Sequence, residues 1–402
     1  MRSKDERGGR GVSASGGGDA GALLLTSFEP SGDDHASAVV SVLKRWHPGL
    51  TIYAWGGPKM AAAGAEVVER TGENAVMGLP GPAKIREHQL INRRIAAWLD
   101  EHPEVKLHVP VDSPAANFPI CKLAKARRIR VVHLVAPQVW AWGPWRIKKL
   151  RRLTDMVLCL LPFEQPWFEA RGVPAKFVGH PLFDERLDER SLETRASAFG
   201  DGAPRVALFP GSRPKEHQKN FPLLLESFRR LKSDYHGAAG MVAATTDAVA
   251  ERLRADAQRL GGWPQGLEMV SGETDAVVRW CQLALTVSGT VTLQIARQRR
   301  PMVIVYKSSR VFYECVGRWL VAAPFFTLPN LIAGREIVPE LVPHFGDAEA
   351  VVEQATRLIE DESLARRQIE ALGSVASQFA DHSASTAAAD AICSMLGLPR
   401  SR

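Results

Sequence analysis

The stretch Arg205-Val206-Ala207-Leu208-Phe209-Pro210-Gly211-Ser212-Arg213-Pro214-Lys215-Glu216 sets the fold class. Residues 205–209 have strand character, run into a proline–glycine turn and are followed by a helical pattern over 221–232. That is the first half of a βαβ unit, and so of a parallel sheet. The alternation continues downstream, with strands at 241–244, 283–287 and 302–306 and helices at 248–260 and 291–298. It also runs upstream, with strands at 23–27, 51–55, 106–111, 130–135, 156–160 and 176–178 and helices at 35–46, 85–101, 119–126 and 145–153. From Asp347 onward the pattern is helical only. The expected fold is α/β: two Rossmann-like domains facing a cleft, with a C-terminal helical tail, and ligands beyond the carboxyl ends of the strands.

A chain of 402 residues exceeds what one core usually holds, so two domains of about 150 to 200 residues are expected. The boundaries read as a disordered, glycine-rich leader over 1–20, an N-terminal Rossmann-like domain over 21–183 and a linker over 184–204. A C-terminal Rossmann-like domain over 205–345 and helices over 346–402 complete the chain. With 45% hydrophobic and 24% charged residues, the chain falls outside the disordered and fibrous classes. Its five cysteines stand singly, without a CxxC pair. Neither a disulfide scaffold nor a zinc site is suggested, and a reducing, cytoplasmic setting fits. No apolar run reaches the roughly 18 residues of a spanning helix. The formal charge of +7 points to an anionic partner: phospholipid, nucleic acid or a phosphorylated small molecule.

Two turns of the second half suit phosphate. In Gly211-Ser212-Arg213, helix-start N–H groups and a guanidinium fork follow a strand, an arrangement that holds anions. Ser288-Gly289-Thr290 repeats it after the strand at 283–287, and Gln294 follows one helical turn later. A plain strand-to-helix turn explains either motif alone equally well; two in one half favour a phosphate cradle. In the first half, Glu29-Pro30-Ser31-Gly32-Asp33 is too acidic for a pyrophosphate and lacks the GxGxxG spacing. It suits sugar hydroxyls, with Ser31 or Asp33 also fit to cap the helix. Asp112 closes the apolar run Val109-Pro110-Val111. Burial there would raise its pKa toward that of a general base, and the competing role is a cap on the helix after Pro114. Trp140, Trp142 and Trp145 precede Arg146, Lys148, Lys149, Arg151 and Arg152. This mixture suits a lipid–water interface and matches no nucleic-acid signature, although one or two of the tryptophans fit a core equally. His133 and His180 read as packed residues at strand ends.

Together these motifs resemble the lipid-A-disaccharide synthase family. The resemblance runs from about Leu23 to at least Leu341, nearly the whole folded chain. It rests on Glu29-Pro30-Ser31-Gly32-Asp33, Gly57-Pro58-Lys59-Met60, Ala75-Val76-Met77-Gly78, Val139-Trp140-Ala141-Trp142, Leu161-Pro162-Phe163-Glu164 and Val178-Gly179-His180-Pro181. Pro210-Gly211-Ser212-Arg213, Ser288-Gly289-Thr290 and Leu328-Pro329-Asn330-Leu331-Ile332-Ala333-Gly334-Arg335 continue it in the family's order. It implies a GT-B fold, a UDP-sugar donor held mainly by the C-terminal half, an acylated glucosamine phosphate acceptor held by the N-terminal half, and no metal or other cofactor. The implied reaction moves 2,3-diacylglucosamine from UDP-2,3-diacylglucosamine to 2,3-diacylglucosamine 1-phosphate with inversion, giving a β-1,6 disaccharide and UDP. The implied setting is the cytoplasm, at the inner-membrane surface, with no nucleic-acid partner; a homodimer stays open.

Carried over by position, Asp112 matches the base, Arg213 and Ser288 to Thr290 match donor-phosphate contacts, and Asn330 matches a donor-side residue. The motifs themselves add Glu29 and Asp33 as further catalytic candidates and Gly211, Ser212, Glu216 and Gln294 on the donor side. They add Ser31, Trp140, Trp142, Arg146 and Lys148 for the acceptor or lipid. The chain departs from the family pattern at Ala115 and Ala116, where aspartate and phenylalanine usually precede the asparagine found here as Asn117. It departs again at Phe28 in place of glycine, at Gln294 in place of a ribose-binding glutamate, and at Val342-Pro343 in place of a glutamine. Two rivals therefore stand beside the synthase: a paralogue acting on another UDP-sugar, as transferase or epimerase-like enzyme, and a catalytically silent UDP-sugar- or lipid-binding protein.

Overall fold

The computed structural model describes residues 21–71, 82–141, 143–308, 310 and 323–400. The leader, the Ala75–Gly78 motif and Trp142 lie outside the described residues. By its contacts the chain divides into two compact units, residues 1–132 with 389–402, and residues 133–388.

The first sheet has seven strands: β1 (Ala22–Thr26), β2 (Ile52–Gly56), β3 (Glu66–Arg70), β4 (Val105–Pro110), β5 (Arg130–Leu134), β6 (Met156–Cys159) and β7 (Ala175–Phe177). Their spatial order is β3-β2-β1-β4-β5-β6-β7. Helices α1 (Pro30–Trp46), α2 (Pro58–Ala62), α3 (Pro82–Glu101), α4 (Pro114–Ala126), α5 (Ile147–Leu153) and α6 (Glu164–Glu169) lie between them in sequence. The sequence of β1 is Ala-Leu-Leu-Leu-Thr, and every residue of it is buried, as a parallel strand covered on both faces demands. It pairs in parallel with β2 and β4, Leu25 lying opposite both Ala54 and Val109. Chain order therefore reverses between β1 and β4.

The second sheet repeats the plan with β8 (Arg205–Phe209), β9 (Ala239–Ala244), β10 (Leu267–Ser271), β11 (Leu283–Val287), β12 (Met302–Lys307) and β13 (Glu340–His344), ordered β10-β9-β8-β11-β12-β13. Among the described residues the α-helices after β7 in sequence are α7 (Glu189–Ala196), α8 (Pro214–Asp234), α9 (Asp247–Arg259), α10 (Thr274–Trp280), α11 (Val291–Arg297), α12 (Leu328–Ala333), α13 (Glu349–Glu360), α14 (Glu362–Ser377) and α15 (Ala384–Leu396), and most of α15 belongs to the first unit. Alternate residues of β8 enter two cores. Val206 and Leu208 pack in one with Phe221, Phe228 and Val351, and Ala207 and Phe209 pack in the other with Val277, Ile295 and Leu372. Full burial of a side chain such as Phe221 stabilises by about 1.5–3 kcal/mol.

Several element boundaries need correction. Strands β3, β10 and β13 were not expected. Helices α4 and α8 start at Pro114 and Pro214 instead of at 119 and 221. Each opens with proline at its first position, where the missing N–H costs nothing, and then runs through a second proline, Pro119 or Pro222. The stretch expected to be a bare linker carries α7. Among the described residues no helix is long and apolar enough to cross a membrane.

Candidate active site

β1 and β4 are neighbours where the strand order of the first sheet reverses, the position at which open α/β sheets hold ligands. The segments leaving them carry Glu29 and Asp112. The backbone after β4 turns sharply: Asp112 has φ 46° and Ser113 has φ 37°. Left-handed geometry costs most L-residues about 1–2 kcal/mol, with Asp and Asn the most tolerant, and it persists only where the surroundings enforce it. Here Asn117, buried in the first turn of α4, donates from Nδ2 to the carbonyls of Val111 at 3.0 Å and Asp112 at 2.9 Å. Ser113 Oγ donates to Glu29 Oε1 at 2.7 Å. Asp112 is half-buried beside Glu29. Burial lifts its pKa above the ordinary carboxyl value; a hydrogen bond from the Ser113 backbone opposes the rise, and the Glu29 charge adds to it. A neutral-pH proton acceptor needs a shift of this sign. The N-cap of α4 is Ser113, so Asp112 lies outside the capping position.

Asp33 has a different role from the catalytic one expected. It is buried and accepts from the backbone N–H groups of Gly57 (3.2 Å), Lys59 (3.0 Å) and Met60 (3.0 Å). Both carboxylate oxygens thus cap α2, which joins two of the motifs. A Cβ on Gly57 would fall 2.3 Å from Asp33 Oδ2, which explains the glycine. Ser31 is exposed in the first turn of α1, whose N-cap is Glu29; neither Ser31 nor Asp33 caps that helix.

In the second sheet order reverses between β8 and β11, and a cavity of about 340 Å³ lies at their carboxyl ends. Phe209, Gly211, Ser212, Arg213 and Glu216 line it from the β8 side, and Val287, Ser288, Gly289, Thr290 and Gln294 from the β11 side. Both phosphate motifs and Gln294 thus meet in one place. The N–H groups of the first turn are not open, however: those of Ser212 and Arg213 donate to Glu216 Oε2 at 3.1 and 3.2 Å. Arg213 Nη1 also pairs with Glu216 Oε1 at 3.1 Å. Glu216 supplies the negative charge that this helix start attracts, so an incoming anion must compete with it. The Arg213 side chain remains 58% exposed. Gly211 has φ 101°, and a Cβ there would lie 2.5 Å from Glu216 Oε2.

Asn330 is not at the cavity wall. It is fully buried, donating to Val338 O (3.1 Å) and Glu340 Oε2 (2.9 Å) and accepting from the N–H groups of Ile337 (2.8 Å) and Val338 (3.1 Å). Glu340 also receives the N–H groups of Phe326 and Thr327, and Ser288 Oγ donates to Phe326 O at 3.2 Å. Asn330 therefore supports the segment behind Ser288.

The tryptophan run divides. Trp140 is buried and donates from Nε1 to Glu164 Oε1 at 2.9 Å, while Glu164 Oε2 receives the N–H groups of Leu160 and Leu161. Its lipid-facing role is replaced by a core one. Trp145 is 63% exposed, next to Arg146, half-buried, and the exposed Lys148, Lys149, Arg151 and Arg152. His180 Nδ1 accepts from Leu182 N at 3.2 Å. His133 is fully buried, and burial lowers its pKa to about 4, so it is neutral near pH 7. Asn117 and Glu164 fall within motifs of the sequence and Glu340 beside one, but the sequence alone assigns none of them a role. Their signal was a polar residue within or beside otherwise apolar elements.

Two Rossmann-like sheets, each with polar side chains gathered at its switch point, define a GT-B fold. A solved glycotransferase of kitacinnamycin superposes with TM-score 0.60 at 18% identity, covering 94% of this chain and 99% of that one. The S. aureus MnaA–UDP co-structure does so with TM-score 0.60 at 13% identity, covering 94% and 98%; at these identities the likeness concerns fold. The chain belongs to the LpxB lipid-A-disaccharide synthetase family, whose model matches residues 23–391, and it is a glycosyltransferase. The lipid-A-disaccharide synthase of Geobacter metallireducens is 35% identical over 389 residues, spanning 94% of this chain and 98% of the relative.

Proposed function

We propose that this enzyme transfers 2,3-diacylglucosamine from UDP-2,3-diacylglucosamine to the 6-hydroxyl of 2,3-diacylglucosamine 1-phosphate. The product is a β-1,6 lipid A disaccharide, with UDP released. The family match over residues 23–391 carries the reading, and the cavity lined by Arg213 and Ser288 to Thr290 supports a UDP-sugar donor. Residues 205–345 would hold the donor and residues 21–183 the acceptor. The 6-hydroxyl gives its proton to Asp112 as its oxygen bonds to the donor's anomeric carbon. The bond from that carbon to the phosphate oxygen breaks with inversion, and UDP departs with the bonding electrons. Arg213 swings from Glu216 to the diphosphate, and the Gly289–Thr290 turn offers N–H groups to the developing charge. Gln294 can donate as well as accept toward the ribose, where a glutamate would only accept.

Trp145 with Lys148, Lys149, Arg151 and Arg152 supports peripheral docking on the anionic inner-membrane surface, where both acylated substrates reside. Turnover of UDP-2,3-diacylglucosamine with 2,3-diacylglucosamine 1-phosphate, read by product mass and UDP release, tests the reading. UDP binding without disaccharide formation would overturn it in favour of a silent binder.

A further inference from the structure

A buried polar network under the Asp112 turn is unused by the mechanism above. Thr26, His108 and Asn117 are each fully buried, on β1, β4 and α4. Three polar side chains in such a place call for mutual satisfaction. Thr26 Oγ1 lies 2.7 Å from Asn117 Oδ1 and 2.8 Å from His108 Nε2. The direction of each bond follows from the atoms. Asn117 Nδ2 donates to Val111 O and Asp112 O, so its Oδ1 is the acceptor turned toward Thr26. The single hydroxyl hydrogen of Thr26 goes to that oxygen, which leaves His108 to donate from Nε2–H to Thr26 Oγ1. Donation thus runs from His108 through Thr26 and Asn117 to the carbonyl of Asp112. It ends on the turn in which Asp112 and Ser113 are both left-handed.

We propose that Thr26, His108 and Asn117 are positioning residues for transfer: their directed chain locks the Asn117 amide, and the amide holds the Asp112 turn in the conformation that presents its carboxylate. This rests on Asp112 being the base. The backbone supports the same register, because Val111 N donates to Thr26 O at 2.9 Å and β1 is thereby tied to the turn at both levels. Bonds in such a chain polarise one another, so loss of one weakens the next. Removing the Thr26 hydroxyl takes the donor from Asn117 Oδ1, frees the amide to rotate and withdraws its N–H groups from the two carbonyls. The strained turn then relaxes and the carboxylate shifts.

The test uses the full chain. Thr26→Val keeps the shape and removes the hydroxyl. Its kcat is expected to fall about 10- to 100-fold, the scale of a displacement of about 1 Å at a reacting group. Both KM values and UDP affinity should stay within about threefold, and Thr26→Ser should restore most of the rate. A merely structural role would lower the melting temperature while leaving kcat per folded molecule intact, and that result overturns the proposal. Asp112→Asn, measured alongside, separates the two readings. If Asp112→Asn stays fast, the base assignment fails and this proposal with it; if Asp112→Asn is slow and Thr26→Val keeps wild-type kcat, only the positioning role fails. Should Thr26→Val not fold, His108→Phe interrupts the chain at its far end. The same fall in kcat at constant KM is expected there, and unchanged kcat overturns the proposal.

Discussion

Replacing Asp112 by asparagine removes a charge and almost nothing else, and the structure fixes what should follow. The turn places residue 112 at φ 46°, a conformation asparagine adopts as readily as aspartate, whereas alanine there would cost about 1–2 kcal/mol. The backbone carbonyl that receives Asn117 is retained. Burial raises the Asp112 pKa from 3.8, so the folded chain holds this proton more tightly than the unfolded one. Stability due to this group therefore falls as pH rises from the ordinary carboxyl value through the raised one, and stays lower above it. Asp112→Asn should thus melt at the same or a higher temperature than wild type at pH 8, with the difference vanishing below about pH 4. If Asp112 takes the acceptor's proton, single-turnover transfer should slow by about a hundredfold to ten-thousandfold, equivalent to about 2.7–5.5 kcal/mol of barrier. UDP affinity by calorimetry should not change. A transfer rate within a few-fold of wild type, measured on the same preparation, would refute the reasoning and pass the role to Glu29, the neighbouring carboxylate.

Because Arg213 is exposed and shared with Glu216, Arg213→Ala should weaken UDP binding by about 1–2 kcal/mol, toward the lower end for a charge-assisted bond; lysine should replace it only partly, and equal affinity by calorimetry would remove Arg213 from the donor site. Asn330→Ala removes four hydrogen bonds, two of them buried and two part-buried, while Glu340 Oε2 keeps Thr327 as a donor; it should cost about 2–4 kcal/mol in denaturant unfolding. UDP affinity per folded molecule should hold, and a selective loss of affinity would restore Asn330 to donor contact. Neutralising Lys148, Lys149, Arg151 and Arg152 together should abolish salt-sensitive sedimentation with anionic vesicles; unchanged sedimentation would contradict the docking surface.

The central strands were legible in the sequence because they are buried on both faces. Leu23-Leu24-Leu25 in β1 and Leu283 to Val287 in β11 are continuous runs that water cannot tolerate. With the turns at Pro210–Arg213 and Ser288–Thr290, they sufficed for the class, for two sheets and for part of the wall of the cavity between β8 and β11. The strands without a clear sequence signal, β3, β10 and β13, are all sheet edges. Glu66-Val67-Val68-Glu69-Arg70 is paired along one side only and half open to solvent, and β13 contains Pro343, so composition gives no clear strand signal there. Individual roles were decided by tertiary structure alone. Asp33, Trp140 and Asn330 carry groups suited to a site, yet each is held by partners 24 to 27, 24 and 7 to 10 residues away in the chain. Those partners exhaust its hydrogen-bonding capacity or bury it. A sequence states which groups a residue carries; whether those groups remain available depends on what folding brings beside them, and a buried carboxylate or amide is claimed by the nearest unpaired backbone before any ligand arrives.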